Sequence, residues 1–259
     1  MKHLKLIVLV IFVILSSRAF AEGQTLKMIF WYPGEAGSTT EAQSFIDTFF
    51  EYLNKEIAPY KISGKYFNST SEGLAYIKSD RPQLGIASLA AYTINKDKLG
   101  GAEILLQTLP LPDGAATEKM VIVGKGPRPT DFNGVLFSKQ PLTDRFVSEK
   151  IFAGAYTPKV TVVRNIIPTL KEISSGEKKG GILLQPMEYY TLKKMSQPWT
   201  KELSLWYTSL PIPSAPLVIF NEISQQLKEK IKNTLLKMPG NPSGIAILNE
   251  LRLAGFSTP

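Results

Sequence analysis

Short apolar runs alternate with amphipathic stretches along most of this chain. Residues 26–32 are rich in bulky apolar side chains and predict a buried strand that stops at Pro33-Gly34. Ser38 and Glu41 then have the spacing of a capping box, and apolar residues at helical intervals follow them, which predicts a helix. Such alternation favours an α/β fold, in which helices cover the faces of a sheet.

The same patterns continue through the rest of the chain, and the last helix is expected to stop at Gly255. We predict further strands over residues 60–67, 83–87, 104–111, 118–123, 134–138, 160–163, 180–184 and 217–220, and helices over residues 71–79, 88–94, 144–152, 167–174, 223–238 and 245–253.

Two alternating blocks are separated in the middle of the chain by Pro112-Asp113-Gly114, and a proline-rich extended segment over 210–216 follows the second block. This organisation predicts a first lobe of residues 22–114 and 214–259, and a second lobe of residues 115–213. Two crossings between the lobes make a hinge, and the cleft between them is a natural ligand site. One continuous α/β domain fits the same pattern equally well.

The first 21 residues are typical of a secretory signal. Lys2 and Lys5 precede an apolar run over 6–15, and Ala19-Phe20-Ala21 is a small-x-small cleavage site. An uncleaved anchor is the alternative, but the run falls well short of the roughly 20 apolar residues that span a bilayer. We therefore expect an exported protein that begins at Glu22 and is not inserted in the membrane.

Composition excludes several function classes. The chain has no cysteine, and its one histidine, His3, lies in the signal. The mature part thus lacks an imidazole base, a thiol nucleophile and soft metal ligands, so we expect no enzyme, no cofactor and no metal site. Removal of Lys2, Lys5 and Arg18 lowers the formal net charge from +8 to +5. This charge fits an anionic ligand or merely a soluble surface, and no basic run with interleaved aromatics supports nucleic-acid binding.

Candidate ligand contacts in the first lobe lie where strands give way to helices. Gly37, Ser38, Thr39 and Thr40 combine a glycine, hydroxyls and the free N–H groups of a helix N-terminus, which hold oxyanions well. Ser88 lies at a strand end before a helix, and Tyr92 lies one turn further on. Each of these hydroxyl residues is equally explained as a helix cap, or for Tyr92 as a core side chain.

The remaining candidates come from the second lobe and from the end of the first strand. Ser138 and Lys139 follow a strand, and the lysine either neutralises a phosphate-like charge or is simply solvated. Gln185 follows another strand. Tyr32, with Trp31 before it, either forms a wall for an organic ligand or belongs to the core.

Several segments together resemble the substrate-binding proteins of phosphate/phosphite/phosphonate ABC transporters. The similar segments are residues 30–38 (Phe30-Trp31-Tyr32-Pro33-Gly34-Glu35-Ala36-Gly37-Ser38), 85–92, 209–216, 236–238, 244–248 and 255–256. The resemblance covers nearly the whole mature chain. It implies a two-lobed periplasmic binding protein fold of type II, with a hinge of two crossing segments.

The resemblance also implies a function. The expected protein captures a small phosphate- or phosphonate-like anion between its lobes and delivers it, as a monomer, to an ABC permease. This chain departs from the family at 137–143, which has fewer hydroxyls than phosphonate-binding members, and at 184–187, where many members place an acidic residue. A periplasmic ligand sensor is the alternative, and an enzyme relying on Asp144, Glu188 or Tyr92 is a third hypothesis.

Overall fold

The computed structural model describes residues 25–35 and 39–259, and two β-sheets dominate them. The six strands of the first sheet are β1 (Thr25–Trp31), β2 (Lys61–Phe67), β3 (Leu84–Ala87), β4 (Glu103–Pro110), β12 (Pro216–Ile219) and β13 (Leu253–Ser257). Their order in the sheet is β13-β4-β12-β3-β1-β2. Strands β1, β2 and β3 are parallel, whereas β12 runs antiparallel to β3 and β4.

Five helices accompany this sheet and form the first lobe with it. They are α1 (Thr39–Glu56), α2 (Thr70–Asp80), α3 (Leu89–Ile94), α7 (Gln225–Lys237) and α8 (Pro242–Glu250). Apolar side chains of α1 and α7, among them Phe49 and Ile231, pack against those of β1 and β3 in one core cluster. Trp31 belongs to a second cluster with Tyr76 and Tyr92.

The second lobe contains a five-stranded sheet. Its strands are β6 (Val121–Lys125), β7 (Val135–Ser138), β8 (Lys159–Val162), β9 (Gly181–Leu184) and β10 (Leu203–Thr208), and their order is β10-β6-β9-β7-β8. Its helices are α4 (Asp144–Phe146), which continues as a π-helical turn over Val147–Ile151, α5 (Ile166–Ser175) and α6 (Pro186–Lys194).

Two extended segments connect the lobes and pair with each other. They contain β5 (Thr117–Glu118) and β11 (Ile212–Pro213), which form an antiparallel ladder. The two-lobed α/β fold with two crossing segments is therefore confirmed. The lobe boundaries at 114/115 and 213/214 stay a prediction.

The structure differs from the predicted secondary structure in three places. The run 118–123 is not one strand, because it divides at Lys119 and Met120 into the hinge strand β5 and the core strand β6. The final helix ends at Glu250, where Arg252 adopts a left-handed φ of 56°, and the chain continues as strand β13 through Gly255. Helix α6 and strand β10 had no counterpart among the predicted elements.

Sheet topology brings the candidate residues to two edges. Strands β1 and β3 are parallel, so Tyr32 and Ser88 leave the first sheet at the same edge. Strands β7 and β9 are parallel as well, so Lys139 and Gln185 leave the second sheet at one edge. Polar side chains after parallel strands are thereby gathered at the carboxyl ends, where open α/β sheets bind ligands.

Candidate ligand-binding cleft

The two edges face each other closely across the cleft. Gly34 has a φ of +84°, and a Cβ atom at this position would lie 2.4 Å from the carbonyl oxygen of Lys139 in the other lobe. Ala90 of α3 belongs to the same apolar cluster as Leu142 and Phe146 of the second lobe. The lobes are therefore in contact across the cleft, and we call this arrangement closed.

A small cavity remains between the lobes. Its volume is about 30 Å³, and it is lined by residues that include Thr70, Ser88, Asn95 and Gln140. We call these four residues the hydroxyl corner. Since a cavity needs about 10–15 Å³ of volume accessible to a water-sized sphere to hold one water molecule, this cavity has room for about two.

Local hydrogen bonds fix two side chains of the hydroxyl corner, those of Ser88 and Asn95. Ser88 caps α3, and its Oγ accepts a hydrogen bond of 3.2 Å from the backbone N–H of Ala91. A hydroxyl that accepts one bond still carries a proton that it can donate to a ligand. The side chain of Asn95 donates to the carbonyl oxygen of Ala91 at 3.0 Å. Thr70 begins the eleven-residue helix α2, whose N-terminus carries partial positive charge.

Ionic contacts form the other part of the cleft. Lys139 Nζ lies 2.9 Å from Glu35 Oε2 in the first lobe and 3.0 Å from Glu188 Oε1 in the second. Gln185 Nε2 donates to Glu35 Oε1 at 3.3 Å. Glu188 Oε2 accepts from the backbone N–H of Gln185 at 2.9 Å and thereby caps α6. We call Glu35, Lys139, Gln185 and Glu188 the charged network.

Partial burial strengthens this network. The side chain of Lys139 is 12% exposed and that of Glu188 is 17% exposed. Desolvation alone would lower the pKa of Lys139, but the carboxylates of Glu35 and Glu188 outweigh it and raise that pKa. Burial raises the pKa of Glu188, and Lys139 lowers it by less. With two carboxylate neighbours, the ammonium of Lys139 stays charged, and its positive charge is already balanced inside the protein.

A further carboxyl group lies in the hinge. Burial, then the negative charges of Asp113 and Glu35, raise the pKa of Glu118 to about 7. The same surroundings act on two tyrosines. Burial is the main cause that raises the pKa of Tyr32, and burial followed by Glu35 raises that of Tyr66 to about 12. The cleft and its hinge thus hold more carboxyl groups than ammonium groups.

The structure brings most of the predicted residues to the cleft edges. Ser88, Lys139 and Gln185 lie there, and Ser138 ends β7 with 3% of its surface exposed. Tyr32 is half-buried and electrostatically coupled to Glu118. Gly37 and Ser38 fall outside the described residues, Thr39 is the first residue of α1, and Thr40 is exposed in its first turn.

The prediction that Tyr92 contacts the ligand is wrong, and Trp31 is also a core residue. The side chain of Tyr92 is buried beside Trp31, and its hydroxyl donates to the carbonyl oxygen of Ala102 at 3.3 Å. Tyr92 is therefore a core residue whose donor is used within the first lobe. Trp31 is fully buried and donates to the carbonyl oxygen of Ser69, so it belongs to the core and not to the cleft.

Three contributions were missed from the sequence. Thr70, Asn95 and Gln140 line the cavity, and none of them was among the predicted ligand contacts. Glu118 begins an apolar run, and a carboxylate at the start of a buried strand is a signal that could have marked it. Glu35 was not among the predicted ligand contacts, although it spans the cleft.

Sequence comparison connects the chain with a transport family. A family model described as "ABC transporter, phosphonate, periplasmic substrate-binding protein" matches residues 129–259, half of the chain. Comparison with curated protein sequences finds no significant match. Within residues 25–35 and 39–259, no helix has the length and apolarity to cross a bilayer, and no group of acidic, histidine or cysteine side chains is arranged to hold a metal ion.

Solved structures share the fold at low sequence identity. A binding protein of an ABC phosphonate transporter from Pseudomonas aeruginosa is 14% identical, with a TM-score of 0.62 over 91% of this chain and 81% of its own. PhnD1 from Prochlorococcus marinus, solved with methylphosphonate, is 12% identical, with a TM-score of 0.65 over 91% and 92%. A Xanthomonas citri protein bound to ATP is 9% identical, with a TM-score of 0.68 over 91% of each chain.

Proposed function

This chain belongs to the family of periplasmic substrate-binding proteins of phosphonate ABC transporters, and from that premise we propose that it captures a small phosphate- or phosphonate-like anion between its lobes. The loaded, closed protein then delivers the anion to a membrane permease. The proposal also includes cleavage of the signal over residues 1–21, a monomeric state and a phosphorus oxyanion as the class of ligand.

One observation carries the ligand class. Lys139, a charged and mostly buried ammonium, lies in the same closed cleft as the hydroxyl corner. Phosphoryl oxygens accept hydrogen bonds from hydroxyl, amide and ammonium donors, and bonds between charged partners are the stronger ones. Ser88, Thr70 and Gln140 would supply neutral donors, and Lys139 would supply the opposite charge.

Closure explains how capture favours one state of the protein. The first lobe supplies Ser88 and the second supplies Lys139, so a ligand reaches both only when the lobes meet. A ligand that binds the closed form more tightly than the open form shifts the population toward closure. The permease would then receive the protein in the closed arrangement that holds the ligand.

Binding without catalysis is part of the proposal. The three residues on which an enzyme would have to rely are not gathered at one place. Asp144 accepts a hydrogen bond of 2.7 Å from the backbone N–H of Val160, Tyr92 is in the core, and Glu188 is paired with Lys139. These contacts support a structural role for each of the three side chains.

Thermal unfolding against a ligand panel tests the proposal. The panel contains inorganic phosphate, phosphite, methylphosphonate, sulfate and several amino acids. A ligand present at 1,000 times its Kd stabilises by about 4 kcal/mol, which for a chain of this size raises Tm by roughly 8–16 °C. We expect such shifts with the phosphorus oxyanions. Shifts with amino acids alone, or with none of the panel, would contradict the proposed ligand class.

A further inference from the structure

Glu35 crosses the cleft and uses both of its carboxylate oxygens in the other lobe. Oε2 pairs with Lys139 at 2.9 Å, and Oε1 accepts from Gln185 at 3.3 Å. These partners are the ammonium and the amide donor that the second lobe would offer to an anion. A carboxylate of the protein therefore occupies the donors of the cleft while it ties the two lobes together.

The two carboxylates on Lys139 are held differently. Glu188 belongs to the same lobe as Lys139, and its second oxygen is fixed by the backbone N–H of Gln185 at the start of α6. Glu35 follows β1 in the opposite lobe, and its side chain is 28% exposed compared with 17% for Glu188. Movement of the lobes separates Glu35 from Lys139 and leaves Glu188 in place.

The charges around Lys139 make displacement necessary. Lys139 Nζ already lies 2.9 Å from Glu35 Oε2 and 3.0 Å from Glu188 Oε1. A dianion placed beside Lys139 would lie next to these two carboxylates, and like charges at such short range repel each other strongly. An anion can thus reach Lys139 in the closed protein only if one carboxylate withdraws.

We propose that Glu35 is an internal competitor for the ligand. In the ligand-free protein its carboxylate holds Lys139 and Gln185 and keeps the lobes closed, and the anionic group of the ligand replaces it. Glu35 then sets a threshold for specificity, because only an anion that binds these donors better than a carboxylate displaces it. This inference rests on the proposed function for the identity of the ligand, but the closure by Glu35 is testable without any ligand.

The distance between the lobes tests the closure. The chain has no cysteine, so Ser44→Cys and Lys171→Cys, both at exposed positions in different lobes, allow spin labels to be attached to these two sites alone. In the ligand-free protein, Glu35→Gln is expected to lengthen or broaden the distribution of label distances. Glu188→Gln also removes a carboxylate from Lys139 but breaks no contact between lobes, so it should keep the short distance.

A second control separates charge from closure. Glu103 forms an ion pair of 2.6 Å with Lys228 within the first lobe, so Glu103→Gln makes the same change in net charge away from the cleft. It should leave the distance distribution unchanged. An unaltered distribution in Glu35→Gln, or equal changes in all three variants, would overturn closure by Glu35.

Calorimetric titration tests the competition. Because one negative charge is removed beside the ligand, Glu35→Gln is expected to bind inorganic phosphate and methylphosphonate on the order of 10- to 100-fold more tightly than the natural protein. Weaker binding by Glu35→Gln would show that Glu35 is a contact of the ligand and would overturn the proposal. If neither protein binds these anions, the proposed function fails, while the distance measurement still decides whether Glu35 closes the cleft.

Gln185→Ala removes the other bond to Glu35. It should change the label distances in the same direction as Glu35→Gln but by less, and circular dichroism verifies folding of each variant.

Discussion

The hydroxyl corner and the charged network share one cleft, yet different kinds of contact hold them. Ser88 in the corner is fixed by a bond to Ala91, three residues away along the chain. In the network, Lys139 and Gln185 contact Glu35 across 104 and 150 residues. Ser88 and Asn95 therefore keep their positions when the lobes part, whereas the bonds of Glu35 exist only when the lobes meet. A ligand finds one region prepared and must rearrange the other.

The largest expected effect comes from blocking the approach of the two lobes. A Cβ at Gly34 would lie 2.4 Å from the carbonyl oxygen of Lys139, so Gly34→Ala should hold the cleft open and lower anion affinity by about 100-fold, since only the contacts of one lobe remain. Calorimetric titration measures the affinity.

Gly100→Ala is the matched control for this change. Gly100 also has a positive φ, +63°, but nothing lies within 4 Å of its added Cβ. Both variants should lose about 1 kcal/mol of unfolding free energy because alanine is strained in the left-handed region. Equal affinity in the two variants would contradict a binding site that requires contact between the lobes.

The second-largest effect is expected from removing Lys139 from the charged network, which should lower the stability of the protein. Lys139→Met leaves Glu35 and Glu188 without their cation, which should lower the free energy of unfolding by about 2 kcal/mol, less than for a fully buried pair because the side chains are partly exposed. Urea unfolding measures the loss. Lys228→Met breaks the more exposed pair with Glu103 and should cost less than about 1 kcal/mol. Similar losses would show that the network contributes no more than a surface ion pair.

The hinge carboxyl predicts a dependence of stability on pH. The pKa of Glu118 is raised from 4.5 to about 7, so folding favours its protonated form. Its contribution to stability is complete below about pH 4.5 and is lost as the pH rises through about 7. Glu118→Gln removes this loss and should be more stable than the natural protein at pH 8 by about 2 kcal/mol, after allowance for partial exposure of the side chain.

Urea unfolding at pH 5 and pH 8 measures this difference. The two proteins should be close in stability at pH 5 and diverge at pH 8. Glu103→Gln, which removes a carboxyl group from the surface of the first lobe, is the control for a change of net charge outside the hinge. A parallel pH dependence in the natural protein and Glu118→Gln would mean that Glu118 is not the group responsible.

The smallest expected effect comes from the hydroxyl corner. Ser88→Ala removes the cap of α3 and should cost about 1 kcal/mol of stability and weaken anion binding by roughly 10-fold. Ser224→Ala removes the equivalent cap of α7, where Oγ accepts from Leu227 at 3.3 Å, and should cost about as much stability. Only the first change should weaken binding, and an equal affinity of both variants would exclude Ser88 from the site.

Local patterns predicted the positions of single side chains better than the contacts between side chains across the cleft. The cap at Ser88 is confirmed because it depends on neighbouring residues, and strand β1 lies within one residue of its predicted bounds. The position of Lys139 at a strand end also followed from local pattern. Its carboxylate partners did not, because no local signal relates it to Glu35, 104 residues away.

Helix α6 and strand β13 were missed from the sequence for similar reasons. No helix was predicted after the strand over 180–184, although proline is well suited to the first turn of a helix, and Pro186 begins α6. Gly255 looked like a helix stop, but it lies inside β13, which pairs with β4. Pairing with a distant strand decided the state of this segment, and the sequence around Gly255 does not show that pairing.

The central claim is that the cleft between the lobes binds a phosphorus oxyanion through Lys139. Calorimetric titration of methylphosphonate and inorganic phosphate into the natural protein and into Lys139→Met tests it most directly. One anion should bind per chain to the natural protein, and the lysine variant should bind at least about 100-fold more weakly, as expected when a close opposite charge is lost. Equal affinity in both proteins, or no binding to the natural one, would contradict the claim.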